Sequence, residues 1–326
     1  MTQTSRSKLR SLIALLLSAI PVAALADYPD KPLTVIVPYG AGGAGDQIMR
    51  VVSEPMEAAL GQKLIVVARP GAGGNLGAQE VVRSAPDGYT LLLGATNTFV
   101  INQFLFASMT FDPLAALIPV TKIADVPSVM FTHTGVPART LPEFIAYAKA
   151  NPGKLNFGSP SFGTTPHLSV ERLKLQAGIN LVHVPFQGAP QAMQALLRND
   201  IQLYLGGIAV GQGHIEAGSI RALGVSSGTR LPGLPDAPTL TESGVADFGA
   251  SNWWALAAPK GTSAVVVERL HKAVLAALAN KIVQERFVQL GFTADGRSPA
   301  ELARMFTTEA QEWAAVIKRA GITMPK

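Results

Sequence analysis

The chain is 326 residues long, carries 27 Lys and Arg against 22 Asp and Glu, and contains no Cys. The missing Cys excludes disulfides and a lipid-bearing cysteine, so core packing alone must hold the fold. Three of the basic residues lie within the first ten positions; without them 27 falls to 24 against the same 22 acidic residues, and no basic cluster remains to hold nucleic acid.

Arg6, Lys8 and Arg10 precede the apolar run Leu12 to Ile20, and Ala24-Leu25-Ala26 supplies a small-residue cleavage pattern. This is the layout of a secretory signal peptide over residues 1–26, cleaved after Ala26. The run is short for a membrane span, and no later segment reaches about 18 uninterrupted apolar residues. The roughly 300 residues beyond it exceed one comfortable core, so two lobes are expected.

Leu33 to Val37 reads as a buried strand, followed by Pro38 and the loop Tyr39-Gly40-Ala41-Gly42-Gly43-Ala44-Gly45, with Asp46 placed to cap a helix beginning at Gln47. A loop so poor in side chains exposes backbone N–H groups at a helix N-terminus, an arrangement that holds anions. The expectation is half of a carboxylate site. Gly40, Gly42 and Gly45 also satisfy the dinucleotide spacing. Pro38, the lack of an acidic residue at the tip of the next strand near Val67, and export away from any nicotinamide pool argue against that use. No Lys-Ser or Lys-Thr follows, so a P-loop is excluded.

Leu64 to Val67 and Tyr89 to Leu93 read as further strands, with helices over Asp46 to Leu60 and Asn75 to Ser84, the βαβ rhythm of a parallel sheet. Asn75 closes the Gly-rich segment Arg69-Pro70-Gly71-Ala72-Gly73-Gly74 in a good capping position. That segment is either a plain strand-to-helix turn or a wall of the same cleft. Another helix follows Asn97, which is counted among the ligand-facing residues, and Leu117 to Lys122 leads out of this block.

The rhythm restarts around Ile123 to Pro127. Strands are expected at Val129 to His133, Leu155 to Gly158, Leu181 to Val184, Ile201 to Leu205 and Ile220 to Val225, with helices over Leu141 to Ala150, Thr164 to Gln176 and Gly188 to Arg198. The loop holding Ser161, Phe162, Gly163, Thr164 and Thr165 is the second block's counterpart to the first glycine loop, with hydroxyls and backbone donors at a helix start. His167, one turn inside that helix, either faces the cleft or is a buried, hydrogen-bonded core histidine. Phe186, Gln187 and Gly188 open the next helix, where Phe186 packs on a ligand's carbon skeleton or belongs to the core. Gly228 to Pro238 is a loop.

Trp253 to Ala257 gives one more strand, and helices follow over Ser263 to Leu278, Lys281 to Leu290 and Pro299 to Arg319. This part is expected to return to the first lobe, giving residues 27–124 and 249–326 as lobe one and 125–248 as lobe two. Trp253 and Trp254 point to opposite faces of their strand, so at most one sees the cleft. Gly224-Val225-Ser226-Ser227-Gly228 matches a nucleophile-elbow pattern, but Thr229 to Gly233 cannot form the helix such an elbow needs. The five His show no metal-ligand spacing. No catalytic residue, metal or cofactor is expected.

Several of these motifs, taken in order, resemble a known family. Tyr28-Pro29, Lys31-Pro32, Gly42-Gly43 with Asp46 and Arg50, Arg69 to Asn75, Pro86-Asp87-Gly88-Tyr89-Thr90-Leu91, Val184-Pro185-Phe186-Gln187-Gly188, Pro235-Asp236-Ala237-Pro238-Thr239 and Ala258-Pro259 look like the periplasmic solute-binding proteins of tripartite tricarboxylate transporters, the Bordetella-uptake-gene (Bug) or TctC family. The resemblance implies an α/β, two-lobed periplasmic binding protein of the type II kind, each lobe a mostly parallel sheet flanked by helices. It implies a monomer that holds a small di-, tri- or aromatic carboxylate on loops matching Tyr39 to Asp46 and Ser161 to Thr165, and delivers it to membrane transport subunits. Tyr39-Gly40-Ala41 departs from the family's usual Pro-rich lead, Ala68 replaces a common Asn, and Arg198-Asn199-Asp200 replaces a small Gly-rich turn. Two rival readings stand beside this one: a sensory module presenting ligand to a membrane kinase, and an exported hydrolase using Ser161 or Ser226.

Overall fold

The computed structural model describes residues 28–245 and 252–322. The signal peptide expected over residues 1–26 lies outside the described residues, as do residues 247–251 of the return crossover that the sequence places around Asp247 to Asn252.

One sheet is built from Leu33–Val37 (β1), Leu64–Ala68 (β2), Thr90–Ala95 (β3) and Leu117–Asp125 (β4), which all run the same way. Helices Ala44–Leu60 (α1) and Asn75–Val82 (α2) connect the first three strands. A second sheet holds Ser128–His133 (β5), Leu155–Ser159 (β6), Leu181–Pro185 (β7), Leu203–Gly207 (β8) and Ile220–Val225 (β9), in the order β7-β6-β8-β5-β9. Its helices are Leu141–Ala150 (α3), Thr165–Ala177 (α4) and Ala189–Leu197 (α5). The chain then returns through Trp253–Pro259 (β10), Ala264–Ala279 (α6), Lys281–Gln289 (α7), Thr293–Ala294 (β11) and Pro299–Ala320 (α8), so the first sheet reads β11-β4-β10-β3-β1-β2.

Each sheet carries a reversed long strand where the chain crosses from the other lobe. β10 is antiparallel to both β3 and β4, and β5 is antiparallel to both β8 and β9. The sheets are therefore mixed, with most strands sharing one direction. One crossing is only Val126-Pro127 between β4 and β5, a connection short enough to act as a hinge.

Period-two alternation explains why the central strands are apolar throughout. Along β10, Trp254, Leu256 and Ala258 join Ile48, Met49 and Val52 of α1 and Leu270 and Val274 of α6 in one core. Trp253, Ala255 and Ala257 face the other side, against Ala78 and Val81 of α2 and Leu302, Phe306 and Ala310 of α8. In the second lobe Met130 and Leu205 pack on α3 and α4, while Phe131 and Tyr204 pack on α5.

Helix starts follow the sequence where a side chain caps them. Thr140, Ser263, Asn280 and Ser298 each accept a backbone N–H from the first turn. Two expected caps are corrected. Asn75 is the first residue of α2 rather than its cap, because Gly74, in the left-handed region at φ 99°, takes that place. Asp46 lies inside α1, since Gly43 in extended backbone is the cap and the helix begins at Ala44. The strand expected over Ile201 to Leu205 is displaced to Leu203–Gly207, because the turn runs on through Asn199 at φ 61°.

Candidate binding site

A cavity opens between the two sheets, at the ends of strands β1, β3, β6 and β8, where ligand crevices of α/β sheets lie. It offers about 70 Å³ to the centres of water molecules, several times the roughly 10–15 Å³ that one water needs. No charged side chain stands among its described lining residues. An adjoining pocket of about 180 Å³ runs behind Tyr39, between Pro70 to Gly74 of one lobe and Pro160, Ser161, Phe186 and Gln187 of the other.

Three helices begin at this cavity: α1 with cap Gly43, α4 with cap Thr164 and α5 with cap Gly188, and all three cap residues line it. None of the three caps makes a side-chain hydrogen bond to its own helix. Gly43 and Gly188 have no side chain to do so, and the Thr164 hydroxyl donates to the Ser161 carbonyl instead, at 2.8 Å. Free N–H groups at helix starts, with aligned peptide dipoles behind them, form an anion site. Pro166 and Pro190 near the starts of α4 and α5 fix φ where few intrahelical bonds are lost.

The first loop is braced by its own side chains. Asp46 Oδ2 accepts the Gly42 N–H at 3.0 Å and the Arg50 Nε at 2.9 Å, so it pins the loop from behind while Arg50 offsets its charge. Gly45 lies under the Trp254 indole: a Cβ there would stand 2.4 Å from Cζ3. Gly42, at φ 80°, faces Pro190 of the second lobe, and Ala41 points to solvent. Gly40, Gly43 and Ala44 are the loop residues at the cavity wall.

Tyr39 presents its ring to the cavity and turns its hydroxyl away. The hydroxyl donates to Asn97 Oδ1 at 2.7 Å and sits 2.9 Å from Thr98 Oγ1, and burial pushes its pKa up to about 12. Asn97 Nδ2 and Asn102 Nδ2 both donate to the Gly73 carbonyl, at 2.8 and 2.9 Å, and Asn102 Nδ2 also reaches Asn75 Oδ1. Asn75 is thus spent on this network, which fixes the Gly71 to Asn75 turn. Asn97 lines the cavity with its amide already committed.

On the facing loop, the Ser161 carbonyl accepts from Ser159 Oγ as well as Thr164 Oγ1. Phe162 meets Phe106 of the first lobe edge to face, at 6.2 Å. Gly163, at φ 76°, donates its N–H to His167 Nδ1 at 3.1 Å. Thr165 is buried. None of Phe162, Gly163, Thr165 and His167 lines the cavity.

His167 is the buried, hydrogen-bonded histidine of the two alternatives. Its ring stacks on His183 at 3.8 Å, with Phe157 and Phe162 close by. Burial, then the neighbouring His183, holds its pKa down to about 2; burial and the Lys174 charge hold His183 down to about 4. Both rings are neutral. Because the Ser159 hydroxyl proton goes to Ser161, His183 Nε2 donates to Ser159 at 2.7 Å and is not its base. Ser226 Oγ accepts the Ser128 N–H at 2.8 Å, a turn role.

Of the paired tryptophans, Trp254 lines the cavity while Trp253 packs in a three-ring cluster with Phe99 and Phe306. Phe186 and Gln187 border the adjoining pocket, and Gly188 borders the main one. Sequence reasoning missed Tyr204, Gln47, Ser128, Asn252 and Phe292 in the wall. Tyr204 carried one usable signal, a polar-tipped aromatic inside the apolar run Leu203 to Leu205; Phe292 carried none. Among the described residues no group of three or more His, Asp and Glu could hold a metal ion.

The sequence profile of the tripartite tricarboxylate transporter family receptor matches residues 48–322. Protein BugT of Bordetella pertussis is 34% identical over 304 residues, covering 93% of each chain. The structure of R. palustris Rpa4515 with adipate superposes with a TM-score of 0.87 at 30% identity, over 91% of this chain and all of that one. MatC from Rhodopseudomonas palustris, with bound malate, gives a TM-score of 0.84 at 30% identity, over 89% of this chain and 100% of that one.

Proposed function

Because this chain belongs to the tripartite tricarboxylate transporter receptor family, whose members are solute-binding proteins, we propose that it captures a small carboxylate in the interlobe cavity and delivers it to membrane transport subunits. The observation that carries this reading is the convergence of three helix starts without side-chain caps on one cavity. Adipate and malate in the two Rhodopseudomonas proteins support the ligand class. The chain acts in the periplasm as a monomer, with no catalytic step. Residues 27–124 and 249–326 form one jaw and 125–248 the other, hinged at Val126-Pro127.

A carboxylate oxygen is held by backbone N–H groups at Gly43-Ala44, Thr164 and Gly188-Ala189, with Gly40 close beside them and Thr165 packed behind. Asp46, Gly42, Gly45, Phe162, Gly163 and His167 shape these loops from behind, and Phe186 and Gln187 complete the rim. Each hydrogen bond to a charged oxygen contributes about 1.5–3 kcal/mol. About four of them, less ordering costs, correspond to micromolar binding.

Thermal-shift and calorimetric screening against mono-, di- and tricarboxylates, aromatic ones included, tests this. At least one acid is expected to raise the melting temperature and to bind with one-to-one stoichiometry. If none does, the binding reading falls.

A further inference from the structure

Tyr204 Oη and Trp254 Nε1 are buried polar atoms without a hydrogen-bond partner in the protein, and both residues line the cavity. The other such atoms among the described residues, on Ser53, Gln103, Thr165 and His271, belong to residues outside its wall. Tyr204 is fully buried and Trp254 is 5% exposed. They come from opposite lobes, Tyr204 from β8 and Trp254 from β10.

Both rings sit in places made for them. The hydroxyl end of Tyr204 lies over Gly206, where a Cβ would stand 2.5 Å away, and its ring stacks on Phe131 at 6.1 Å. Trp254 lies on Gly45 and meets Tyr39 edge to face at 5.3 Å. An indole N–H only donates, and a phenol prefers to. Burial pushes the Tyr204 pKa upward, so it stays a neutral donor. With the lobes together neither atom is reached by solvent, so an acceptor for them has to be enclosed with them.

We infer that Tyr204 and Trp254 are a specificity-determining pair that reads an oxygen acceptor on the part of the ligand away from its helix-bound carboxylate. This rests on the carboxylate-binding reading above and adds what the rest of the ligand must carry: a hydroxyl, a carbonyl or a second carboxylate. Among the described residues no charged side chain lines the cavity. Neutral donors therefore do the reading. A ligand without the acceptor leaves two desolvated donors unpaired on closure, the condition under which polar sites reject analogues most strongly.

The test measures binding of two matched series by calorimetry on the mature chain: hexanoate, ω-hydroxyhexanoate and adipate, then benzoate, para-hydroxybenzoate and terephthalate. In at least one series an acceptor-bearing acid should bind about tenfold or more tighter than the bare acid. Tyr204→Phe and Trp254→Phe should each shrink that ratio toward one, weakening the acceptor-bearing acid more than the bare acid. Preference for the hydroxy acid or for the diacid then names the acceptor. Equal binding of bare and acceptor-bearing acids by the unmodified chain overturns the inference and leaves the carboxylate reading intact. So do variants that weaken both members of a series equally, which marks a packing role. Failure of all six acids and of the wider carboxylate screen removes the carboxylate reading and this inference with it.

Discussion

Gly40 and Gln187 touch across the cleft: a Cβ on Gly40 would stand 2.8 Å from the Gln187 carbonyl oxygen, with Gly188 just beyond. Backbone meets backbone here, so neither side has a flexible side chain that could give way. The contact spans the two lobes, and it limits how near the two glycine loops approach.

Gly40→Ala should therefore act on closure. Ligand affinity is expected to fall about tenfold, equivalent to about 1.4 kcal/mol, while the ligand-free melting temperature barely moves. Calorimetry and thermal melting on the same sample check both halves. Undiminished affinity would mean that the loops need not come this close.

The stacked His167 and His183 make the second lobe acid-sensitive. Their folded pKa values are depressed, to about 2 and about 4, from an ordinary 6.5. The unfolded chain thus takes up protons first as pH falls. The stability they contribute is complete above about pH 6.5 and is lost progressively toward pH 4 and below. Glu171 and Lys174 are the charged groups beside the pair, with Glu171 Oε1 3.8 Å from His167 Nε2 and Lys174 Nζ 5.5 Å from the centre of the Phe157 ring. Melting temperature should drop across this window, and His183→Gln should flatten the profile. A flat profile in the unmodified chain would contradict the neutral stack.

Asp46→Ala removes the acceptor for the Gly42 N–H and should cost about 1 kcal/mol in urea unfolding. The Arg50 pair adds little to this, because the Arg50 side chain is 74% exposed. Asp46→Asn keeps a carbonyl oxygen in place and should recover most of the loss. If Asn is as damaging as Ala, charge near the helix start matters more than the hydrogen bond.

Tyr39→Phe keeps the ring against Trp254 and deletes the hydroxyl that donates to Asn97 Oδ1. A buried acceptor left unpaired should lower stability by about 1–3 kcal/mol. Denaturant unfolding is the measure, and an unchanged midpoint would show that Asn97 finds another donor.

Much of this architecture is legible in residues. The apolar runs Leu33 to Val37 and Trp253 to Ala257 announce strands covered on both faces, and Ser298 with Glu301 marks the start of α8 through a capping box. The two misread helix starts are informative because they fail for one reason. Asp46 and Asn75 look like caps, yet a glycine takes each cap and the polar side chain braces a loop instead. A local rule gives way at the glycine loops that face the cleft. The far wall was hidden for a different reason. Tyr204, Asn252 and Phe292 lie far apart along the chain and meet only when the lobes dock, so no local pattern marks them.

The position of β10 also bears on the order in which the lobes assemble. It lies between β3 and β4, and among the described strands β4 pairs otherwise only with the still later β11. A growing chain that has passed Val225 holds every strand of the β5 to β9 sheet, whereas β4 has no neighbour and β3 has one open edge until Trp253–Pro259 is made. The inserted lobe can thus finish first, and the lobe that begins the chain must wait with a slot in its middle. Such long-range pairing is slow to form, and the waiting apolar edges are where a half-made chain would stick to its neighbours.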